Sequence, residues 1–187
     1  MRIITGSARG VSLYTLAGDN TRPTSERTKE AVFSMLQFEI EGRRILDLFA
    51  GSGQMALEAL SRGASFAVLV DRSREAVGVI EKNVTKTKMT DKCRVICMDS
   101  LDYLKKQTDL FDIIWLDPPY DSVLLKASLK LLLEGGFLKP TTVLACESRE
   151  QDVFDGDEEL RGRFHVLRKA KYGIAHVTLL KPIAELL

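Results

Sequence analysis

Cysteines are few in this sequence, and long hydrophobic runs are absent. Three cysteines among 187 residues are an odd number, which argues against a disulfide framework and for a reducing compartment. The longest apolar runs, residues 66–70 and 113–116, are strand-sized and far shorter than the roughly 20 residues of a membrane span. Residues 1–5 are not followed by an apolar stretch of secretory length. We therefore expect a soluble, cytoplasmic protein that does not enter a membrane.

An excess of charge of either sign is also absent. The chain has 27 Lys and Arg against 26 Asp and Glu, a formal net charge of +1, with 45% hydrophobic and 28% charged residues. These are ordinary globular values, which exclude a disordered or low-complexity chain. A nucleic-acid partner then requires segregated basic residues. Residues 151–159 are acidic, and residues 161–181 contain Lys and Arg but no acid. On charge alone, we favour a solvated loop followed by a solvated strand face.

Short apolar runs alternate with helix-length amphipathic segments from residue 45 onward. This alternation predicts βαβ units and a parallel sheet with right-handed crossovers. The predicted strands are residues 45–49, 66–70, 94–98, 112–116 and 142–146, and the predicted helices are residues 54–62, 74–86, 100–106 and 123–134.

The end of the chain departs from this alternation. Residues 164–169 and 174–180 alternate apolar and polar side chains, with only residues 170–173 between them. A crossover helix does not fit there, so we expect an antiparallel hairpin at the sheet edge. A mostly parallel, seven-stranded α/β sheet with a C-terminal antiparallel hairpin fits the class I, Rossmann-like fold of S-adenosylmethionine-dependent methyltransferases better than most nucleotide-binding folds.

The first 40 residues precede this core. Residues 2–5 and 11–16 predict a small hairpin, and Thr24 is suited to cap a helix that follows Arg22 and Pro23. We find no internal repeat and no Pro-, Gly- or Ser-rich linker that would mark a second large domain. We therefore expect one compact domain, with an N-terminal hairpin and helix extension over residues 1–40 and the methyltransferase core over residues 41–187.

A glycine-rich turn follows the first predicted strand. Gly51 and Gly53 allow a tight turn and close approach of a ligand to the backbone at a helix start. Together with Ala56 they match the spacing of the dinucleotide fingerprint. Asp71 lies 20 residues beyond Gly51, where a ribose-binding acid is expected. By spacing alone, the turn suits NAD and S-adenosylmethionine equally.

Two acidic positions favour S-adenosylmethionine. Asp47 stands four residues before the first glycine, where its carboxylate could meet the ammonium group of a methionine moiety but would repel a pyrophosphate. Asp99 and Ser100 follow the third predicted strand, where an adenine amine could be hydrogen-bonded. The structural alternatives are that Asp47 bonds a neighbouring turn and that Asp71 caps a helix.

The sequence Asp117-Pro118-Pro119-Tyr120 follows the fourth predicted strand. Two prolines cannot continue a sheet, and each restrains the residue before it. The rigid turn presents the Asp117 carboxylate, the Pro118 carbonyl and the Tyr120 ring. Two acceptors can bond both N–H groups of an exocyclic nucleobase amine, which is a poor nucleophile, while the ring stacks on the base. The turn predicts methylation of such an amine; a plain strand-terminating turn is the alternative.

Motifs spread over nearly the whole chain carry a more specific resemblance. They are Met1-Arg2-Ile3-Ile4, Arg22-Pro23-Thr24, Leu46-Asp47-Leu48-Phe49-Ala50-Gly51-Ser52-Gly53, Leu57-Glu58-Ala59-Leu60-Ser61-Arg62-Gly63-Ala64, Asp117-Pro118-Pro119-Tyr120 and Lys171-Tyr172-Gly173. In combination they resemble the RsmD-type bacterial 16S ribosomal RNA guanine-N2 methyltransferases. The Asp-Pro-Pro-Tyr turn alone is shared with many DNA and RNA amino-methyltransferases, so the combination is what makes the resemblance specific.

The resemblance implies methyl transfer from S-adenosylmethionine to N2 of a guanine in small-subunit ribosomal RNA. The catalytic residues would be Asp117, Pro118 and Tyr120. The residues expected around the cofactor are Asp47, Phe49, Gly51, Gly53, Asp71, Arg72, Asp99 and Ser100. Those expected to contact the substrate are Arg22, Thr24, Arg27 and Tyr172.

Alternatives remain for the substrate residues and for the function. Arg22 and Arg27 flank a helix start, where a surface ion pair competes with a phosphate contact, and Tyr172 could simply pack in its hairpin. We expect 16S ribosomal RNA within a small-subunit particle with ribosomal proteins as the partner, and a monomer without metal. Two other functions stay open. One is methylation of adenine-N6 or cytosine-N4 in DNA, for which we find no separate DNA-recognition domain in the sequence. The other is a non-catalytic dinucleotide-binding module, which leaves Asp-Pro-Pro-Tyr unexplained.

Overall fold

A seven-stranded, mostly parallel sheet forms the centre of the molecule, with helices on both faces. The computed structural model describes residues 1–16, 26–119 and 122–186. The elements in chain order are α1 (Glu26–Met35), β1 (Arg44–Asp47), α2 (Gln54–Ser61), β2 (Phe66–Asp71), α3 (Arg74–Thr87), β3 (Cys93–Cys97), α4 (Ser100–Lys106), β4 (Ile113–Leu116), α5 (Ser122–Glu134), β5 (Val143–Ser148), α6 (Glu158–Arg161), β6 (Phe164–Tyr172) and β7 (Ala175–Pro182).

The strands follow the order β3-β2-β1-β4-β5-β7-β6 across the sheet. β1 to β5 run parallel to one another, whereas β7 is antiparallel to both β5 and β6. The first strand, β1, therefore lies in the middle of the sheet. The chain then forms β2 and β3 on one side of β1 and crosses to β4 on the other side. The fold predicted from the sequence, a parallel sheet completed by a C-terminal antiparallel hairpin, is confirmed.

The sheet is buried on both faces, so alternate strand residues belong to two separate cores. In β1, Ile45 packs in the core that contains α1, α2 and α3, and Leu46 packs in the core that contains α4 and α5. The same alternation continues in β4, where Trp115 belongs to the first core and Leu116 to the second. Asp47 shares the face of Ile45, which places it on the α1–α3 side of the sheet.

The predicted N-terminal hairpin forms only in part. Arg2 and Ser12 make a single antiparallel bridge, but neither arm becomes a strand. The amides of Ile4 and Thr5 instead donate to the two carboxylate oxygens of Glu58 on α2, at 2.7 and 3.0 Å. Because these amides bond a helix side chain, they cannot extend the ladder between the two arms.

A buried ionic group fixes this N-terminal segment and α1 to α2. The side chains of Lys29 and Glu58 are both fully buried, with Lys29 Nζ 3.5 Å from Glu58 Oε2. Arg62 Nε lies 2.8 Å from Glu58 Oε1, and Lys29 Nζ donates to the Arg2 carbonyl at 2.6 Å. Burial lowers the pKa of Lys29, while the charge of Glu58 acts in the opposite direction. The contacts join residues 1–16 to the core; the division at residue 40 stays a prediction.

Strands at the C-terminal side of the sheet are longer than the sequence predicted. β5 continues to Ser148, β6 to Tyr172 and β7 to Pro182. These end residues are paired across the sheet: Ser148 with His176, Tyr172 with Ala175 and Pro182 with Phe164. None of the helices in the described part of the chain has the length and apolar character needed to span a bilayer.

Candidate active site

The carboxyl ends of β2, β1 and β4 lie side by side at the point where the order of strands changes direction, because β2 and β3 lie on one side of β1 and β4 lies on the other. In open α/β sheets, this reversal creates a crevice that commonly binds ligands. Asp71 is the last residue of β2, Asp47 is the last residue of β1, and Asp117 directly follows β4. Asp47 lies opposite Leu69 and Trp115 in the two neighbouring strands. Since Asp71 and Asp117 each follow those residues by two positions, the three carboxylates share one face of the sheet.

The glycine turn between β1 and α2 needs glycine at two positions, for two different reasons. Gly51 and Gly53 have positive φ angles of 54° and 77°, which L side chains rarely adopt. A Cβ atom at Gly53 would lie 3.0 Å from Leu69 Cδ2, so this glycine lets α2 approach β2 closely. A Cβ atom at Gly51 would meet no protein atom within 4 Å. Gly51 therefore presents backbone that a ligand can approach directly.

Asp71 holds the glycine turn against the end of β2. Its Oδ2 accepts a hydrogen bond from the Gly51 amide at 2.8 Å, and its Oδ1 accepts one from the Ser73 amide at 2.9 Å. The helix cap considered for Asp71 is made by Ser73, whose hydroxyl accepts from the Ala76 amide. A carboxylate has about four acceptor positions, so Asp71 retains capacity for ribose hydroxyl groups while it fixes the turn.

Asp47 is a buried carboxyl next to two other acids. Only 3% of the residue is exposed, and its Oδ2 accepts a 3.4 Å bond from the Ala56 amide in the first turn of α2. Burial is the main cause that raises its pKa to about 7, and the charges of Asp117 and Asp71 raise it further. The hydrogen bond to α2 is the neighbouring-turn contact considered as the alternative for Asp47. This hydrogen bond does not remove the negative charge of the neighbouring acids, so the pocket still favours a cation.

This electrostatic arrangement fits S-adenosylmethionine and does not fit a dinucleotide. S-adenosylmethionine carries an ammonium and a sulfonium group, which three nearby carboxylates would attract. The pyrophosphate of NAD would instead be repelled at the glycine turn. Asp47 would hold the methionine ammonium, Gly51 would permit close approach at the turn, and Asp71 would hold the ribose.

The remaining cofactor residues predicted from the sequence surround the ends of β1, β2 and β3. Asp99 caps α4, because its Oδ1 accepts hydrogen bonds from the Leu101 and Asp102 amides at 2.9 and 3.3 Å. Ser100 is buried at the start of that helix, Arg72 is exposed after β2, and Phe49 is half-buried after β1. Their roles toward a cofactor stay predictions.

The Asp-Pro-Pro turn follows β4 as predicted. Asp117 is half-buried, Pro118 is buried and Pro119 is exposed. The charge of Asp117 raises the pKa of Asp47, so the Asp117 carboxylate lies close to the end of β1. Tyr120 lies outside the described residues, and its predicted stacking role stays a prediction.

The structure describes the predicted substrate residues unequally. Arg22 and Thr24 lie outside the described residues, and Arg27 belongs to α1 with an undescribed side chain. Tyr172 ends β6 and packs, half-buried, against the α1–α3 core, so packing accounts for at least part of its role. α1 itself is placed beside the Asp-Pro-Pro turn by Phe33, whose ring stacks on Trp115 of β4 with centroids 5.3 Å apart.

Asn83 is a residue of this region that the sequence interpretation missed. It is fully buried on α3, and its Oδ1 accepts a hydrogen bond from the Tyr14 amide at 2.7 Å. Its Nδ2 donates to the Tyr14 carbonyl at 3.0 Å and to the Ser52 carbonyl at 2.9 Å. The signal was present in the sequence, because Asn83 occupies the helical spacing of the buried positions Ala76 and Ile80.

A metal centre is not evident in the part of the chain that the structure describes. No group of three or more His, Cys, Asp or Glu side chains there is arranged to hold a metal ion. The three cysteines are free, and burial raises the pKa of the Cys93 thiol to about 11.

Comparison with known proteins gives related sequences and structures. Residues 1–181 match the model of a family described as Conserved hypothetical protein 95. The chain is 37% identical over 185 residues to YlbH of Bacillus subtilis (strain 168), covering 97% of this chain and 98% of YlbH. It is 35% identical over 153 residues to a Haemophilus influenzae protein named Ribosomal RNA small subunit methyltransferase D, covering 80% and 79% of the two chains. The solved structure of Escherichia coli yhhF matches with a TM-score of 0.86 and 30% identity over 98% of both chains.

Proposed function

Because the chain belongs to the family described as Conserved hypothetical protein 95, we propose that it transfers a methyl group from S-adenosylmethionine to the exocyclic N2 of a guanine in small-subunit ribosomal RNA. The name of the Haemophilus influenzae relative supports the substrate class. The guanine and its N2 atom are the finer part of the proposal, and they rest on the Asp-Pro-Pro turn and on the resemblance of the motifs.

The observation that carries the proposal is the set of three carboxylates on one face of the sheet. Asp47, Asp71 and Asp117 end or follow three adjacent strands, and each of the other two raises the pKa of Asp47. A bound cation would favour the ionised form of such a cluster. A positively charged cofactor at the glycine turn would supply this cation, which counts against the dinucleotide-binding alternative.

The residues at the glycine turn would bind the cofactor, and those of the Asp-Pro-Pro turn would position the target amine. S-adenosylmethionine, when bound, supplies a methyl group on a positively charged sulfur. Asp47 and Asp71 would hold its ammonium and ribose groups, and Gly51 would permit its close approach. Asp117 and the Pro118 carbonyl would accept hydrogen bonds from the two N–H groups of the target amine. This contact holds the nitrogen in place and directs its lone pair toward the methyl group.

The restraint on the Asp-Pro-Pro turn matters because the target amine is a poor nucleophile. Each proline fixes its own φ angle and holds the preceding residue in an extended conformation. Pro118 is also buried, so the turn is packed against the core. The acceptor groups are therefore in position before the substrate binds, so they need little rearrangement in the transition state.

The test combines a substrate assignment with a single substitution. We expect 16S ribosomal RNA from cells with the gene to contain an N2-methylguanosine, detected by mass spectrometry, that is missing without the gene. We expect Asp117→Ala to lower kcat for RNA methylation by at least about 100-fold, with nearly unchanged affinity for S-adenosylhomocysteine. Tritiated methyl incorporation measures the rate, and calorimetry measures the affinity.

A matched control and two contrary outcomes complete the experiment. Asp91→Ala removes an exposed carboxylate from a 3-10 turn before β3 and should leave the rate unchanged. A fully active Asp117→Ala enzyme would contradict the role of the turn. Methyl incorporation into DNA and not into RNA would overturn the substrate class and favour a DNA amino-methyltransferase.

A further inference from the structure

β6 forms an outer edge of the sheet, and most of its side chains are exposed. The hairpin residues 164–182 include Arg168, Lys169, Lys171 and Lys181 and contain no Asp or Glu. None of the ion pairs between described residues involves these four side chains. The hairpin is therefore a basic surface, and no acidic residue of the hairpin itself neutralises its charge.

The acidic segment that precedes the hairpin is neutralised by other basic residues. Arg161 lies 2.8 Å from Asp152, whose charge Lys169 also influences, and 3.2 Å from Glu158. Two more acids of the segment pair with α5 lysines: Lys126 with Asp155 at 3.4 Å and Lys130 with Asp157 at 2.8 Å. These pairs withdraw carboxylates that would otherwise compete for the hairpin lysines.

The basic strand runs toward the edge of the sheet that contains the candidate active site. Ser148, at the carboxyl end of β5, lies opposite His176 in β7, and His176 lies opposite Lys171 in β6. Lys171 is therefore level with the strand ends that Asp117 follows. Three strand spacings separate β4 from β6, or about 14 Å. Lys169 lies opposite Thr178 and Lys171 lies opposite His176 in β7, so both project from the α4–α5 face of the sheet, whereas Asp117 lies on the α1–α3 face. An RNA strand held there would pass over the carboxyl ends of the strands to reach the Asp-Pro-Pro turn.

The other exposed N-terminal surface offers less positive charge. Residues 1–16 contain only Arg2 and Arg9 as basic residues, and Arg2 lies 4.0 Å from Glu26. A chain with a net charge of +1 can attract a polyanion only through a local concentration of basic side chains. The C-terminal hairpin, with four basic residues and no acid, concentrates more positive charge than residues 1–16.

We propose that the β6 face carrying Lys169 and Lys171 is a docking surface for the phosphate backbone of the RNA substrate. The proposal rests on the proposed function and names the part of the molecule that holds the RNA beside the crevice. The two ammonium groups would contact consecutive stretches of backbone, so that a nucleotide farther along the strand reaches the Asp-Pro-Pro turn. Phosphate contacts of this kind position a nucleic acid without reading its sequence.

The experiment compares two double substitutions that remove the same charge. Lys169→Gln with Lys171→Gln changes the hairpin, and Lys82→Gln with Lys92→Gln changes exposed lysines on α3 and before β3, at the opposite edge of the sheet. Binding of protein-free 16S ribosomal RNA transcript is measured by fluorescence anisotropy over a series of salt concentrations. S-adenosylhomocysteine affinity and the kinetics of RNA methylation are measured for each variant.

We expect the hairpin variant to bind the transcript about tenfold more weakly and to lose about 1.5 to 2 units from the slope of log K against log salt concentration. Its KM for RNA should rise while kcat at saturating RNA and cofactor affinity stay unchanged. The control pair should retain the parental slope. Equal losses in both variants, or an unchanged slope in the hairpin variant, would overturn the proposal.

Failure of this proposal can be distinguished from failure of the proposed function. An enzyme that methylates RNA normally, but whose hairpin variant binds the transcript like the parent, refutes the docking surface and keeps the methyltransferase assignment. Loss of binding to assembled subunits with undiminished binding to protein-free transcript assigns the hairpin to a ribosomal protein and also refutes it. A parent chain that binds neither the transcript nor assembled subunits overturns both proposals.

Discussion

Asp47 is the residue whose ionisation depends most directly on the arrangement of the site. Its pKa is raised from 3.8 to about 7, chiefly by burial and secondarily by neighbouring carboxylates. An unfolded chain would titrate the same group near 3.8. Between these pH values the folded protein therefore binds one proton more than the unfolded chain. The contribution of this group to stability is fully present below about pH 4 and is lost as the pH rises through 7.

This linkage predicts a pH-dependent effect of Asp47→Asn on the ligand-free protein. We expect the Asp47 contribution to the free energy of unfolding to fall by about 4 kcal/mol between pH 4 and pH 8 in the parent. The amide cannot ionise, so this decline should be missing in the variant, which gains relative stability as the pH rises. Urea unfolding followed by circular dichroism from pH 4.5 to pH 8 measures the difference.

Comparison of the two proteins removes the effects of other acids. The pKa of Asp112 is lowered mainly by its hydrogen bonds with the Arg44 amide and Lys139, against the effect of burial, and this group is the same in both proteins. Its contribution therefore cancels in the difference. Parallel stability curves for parent and variant over the whole pH range would show that Asp47 does not carry the shifted titration.

At the scale of elements, α3 connects the N-terminal segment to the glycine turn. Asn83 bonds both backbone groups of Tyr14 and the carbonyl of Ser52. Lys86, one turn later, places its ammonium 4.5 Å from the centre of the Tyr14 ring. One helix thus holds two segments that are far apart in the chain, and the turn that would receive the cofactor is one of them.

Asn83→Ala should consequently affect both stability and cofactor binding. Buried backbone groups that lose their partners cost about 1–3 kcal/mol each. Since three groups lose a partner, we expect the free energy of unfolding to fall by at least about 3 kcal/mol. We also expect S-adenosylhomocysteine to bind severalfold more weakly, because the Ser52 carbonyl no longer anchors the turn. Chemical denaturation and calorimetry give the two values.

Thr85→Ala provides a control on the same helix. Thr85 is exposed, and its hydroxyl donates only to the Glu81 carbonyl at 3.0 Å, so its loss should change stability by less than about 0.5 kcal/mol. If Asn83→Ala loses stability but binds S-adenosylhomocysteine like the parent, the residue supports the fold alone and does not position the glycine turn.

At the scale of the whole molecule, the charge of the crevice predicts which ligands stabilise the folded protein. A ligand present at about 100 times its Kd adds about 2.7 kcal/mol to the free energy of unfolding. For a chain of this size, we expect S-adenosylhomocysteine to raise Tm by about 5–10 °C. NAD at the same concentration should leave Tm unchanged, since its pyrophosphate would face Asp47 and Asp71.

Thermal denaturation with each ligand measures this contrast. Asp71→Ala should lose most of the shift caused by S-adenosylhomocysteine, because Asp71 holds the Gly51 amide, whereas Asp91→Ala should retain it. Stabilisation by NAD without stabilisation by S-adenosylhomocysteine would instead support the dinucleotide-binding module.

Much of the fold could be predicted because its signals are local in the chain. Apolar runs of strand length, helical spacing and glycine positions identify five parallel strands and their crossovers. The residues after the strands, such as Asp47, Asp71 and Asp117, could be grouped because parallel strands end at a common edge. The N-terminal hairpin was predicted wrongly in detail, since its amides bond Glu58, a residue 54 positions away from Ile4.

The sequence by itself therefore determined the order of elements, the two turns and the class of ligand that their residues suit. Only the tertiary structure decided which distant groups share a contact: Glu58 with Lys29, Asn83 with Tyr14 and Ser52, and the acids after α5 with the lysines of that helix. The physical reason is that periodicity reports which face of an element is buried, whereas ion pairs and hydrogen bonds depend on distances of a few ångströms. Those distances are set when the elements pack together.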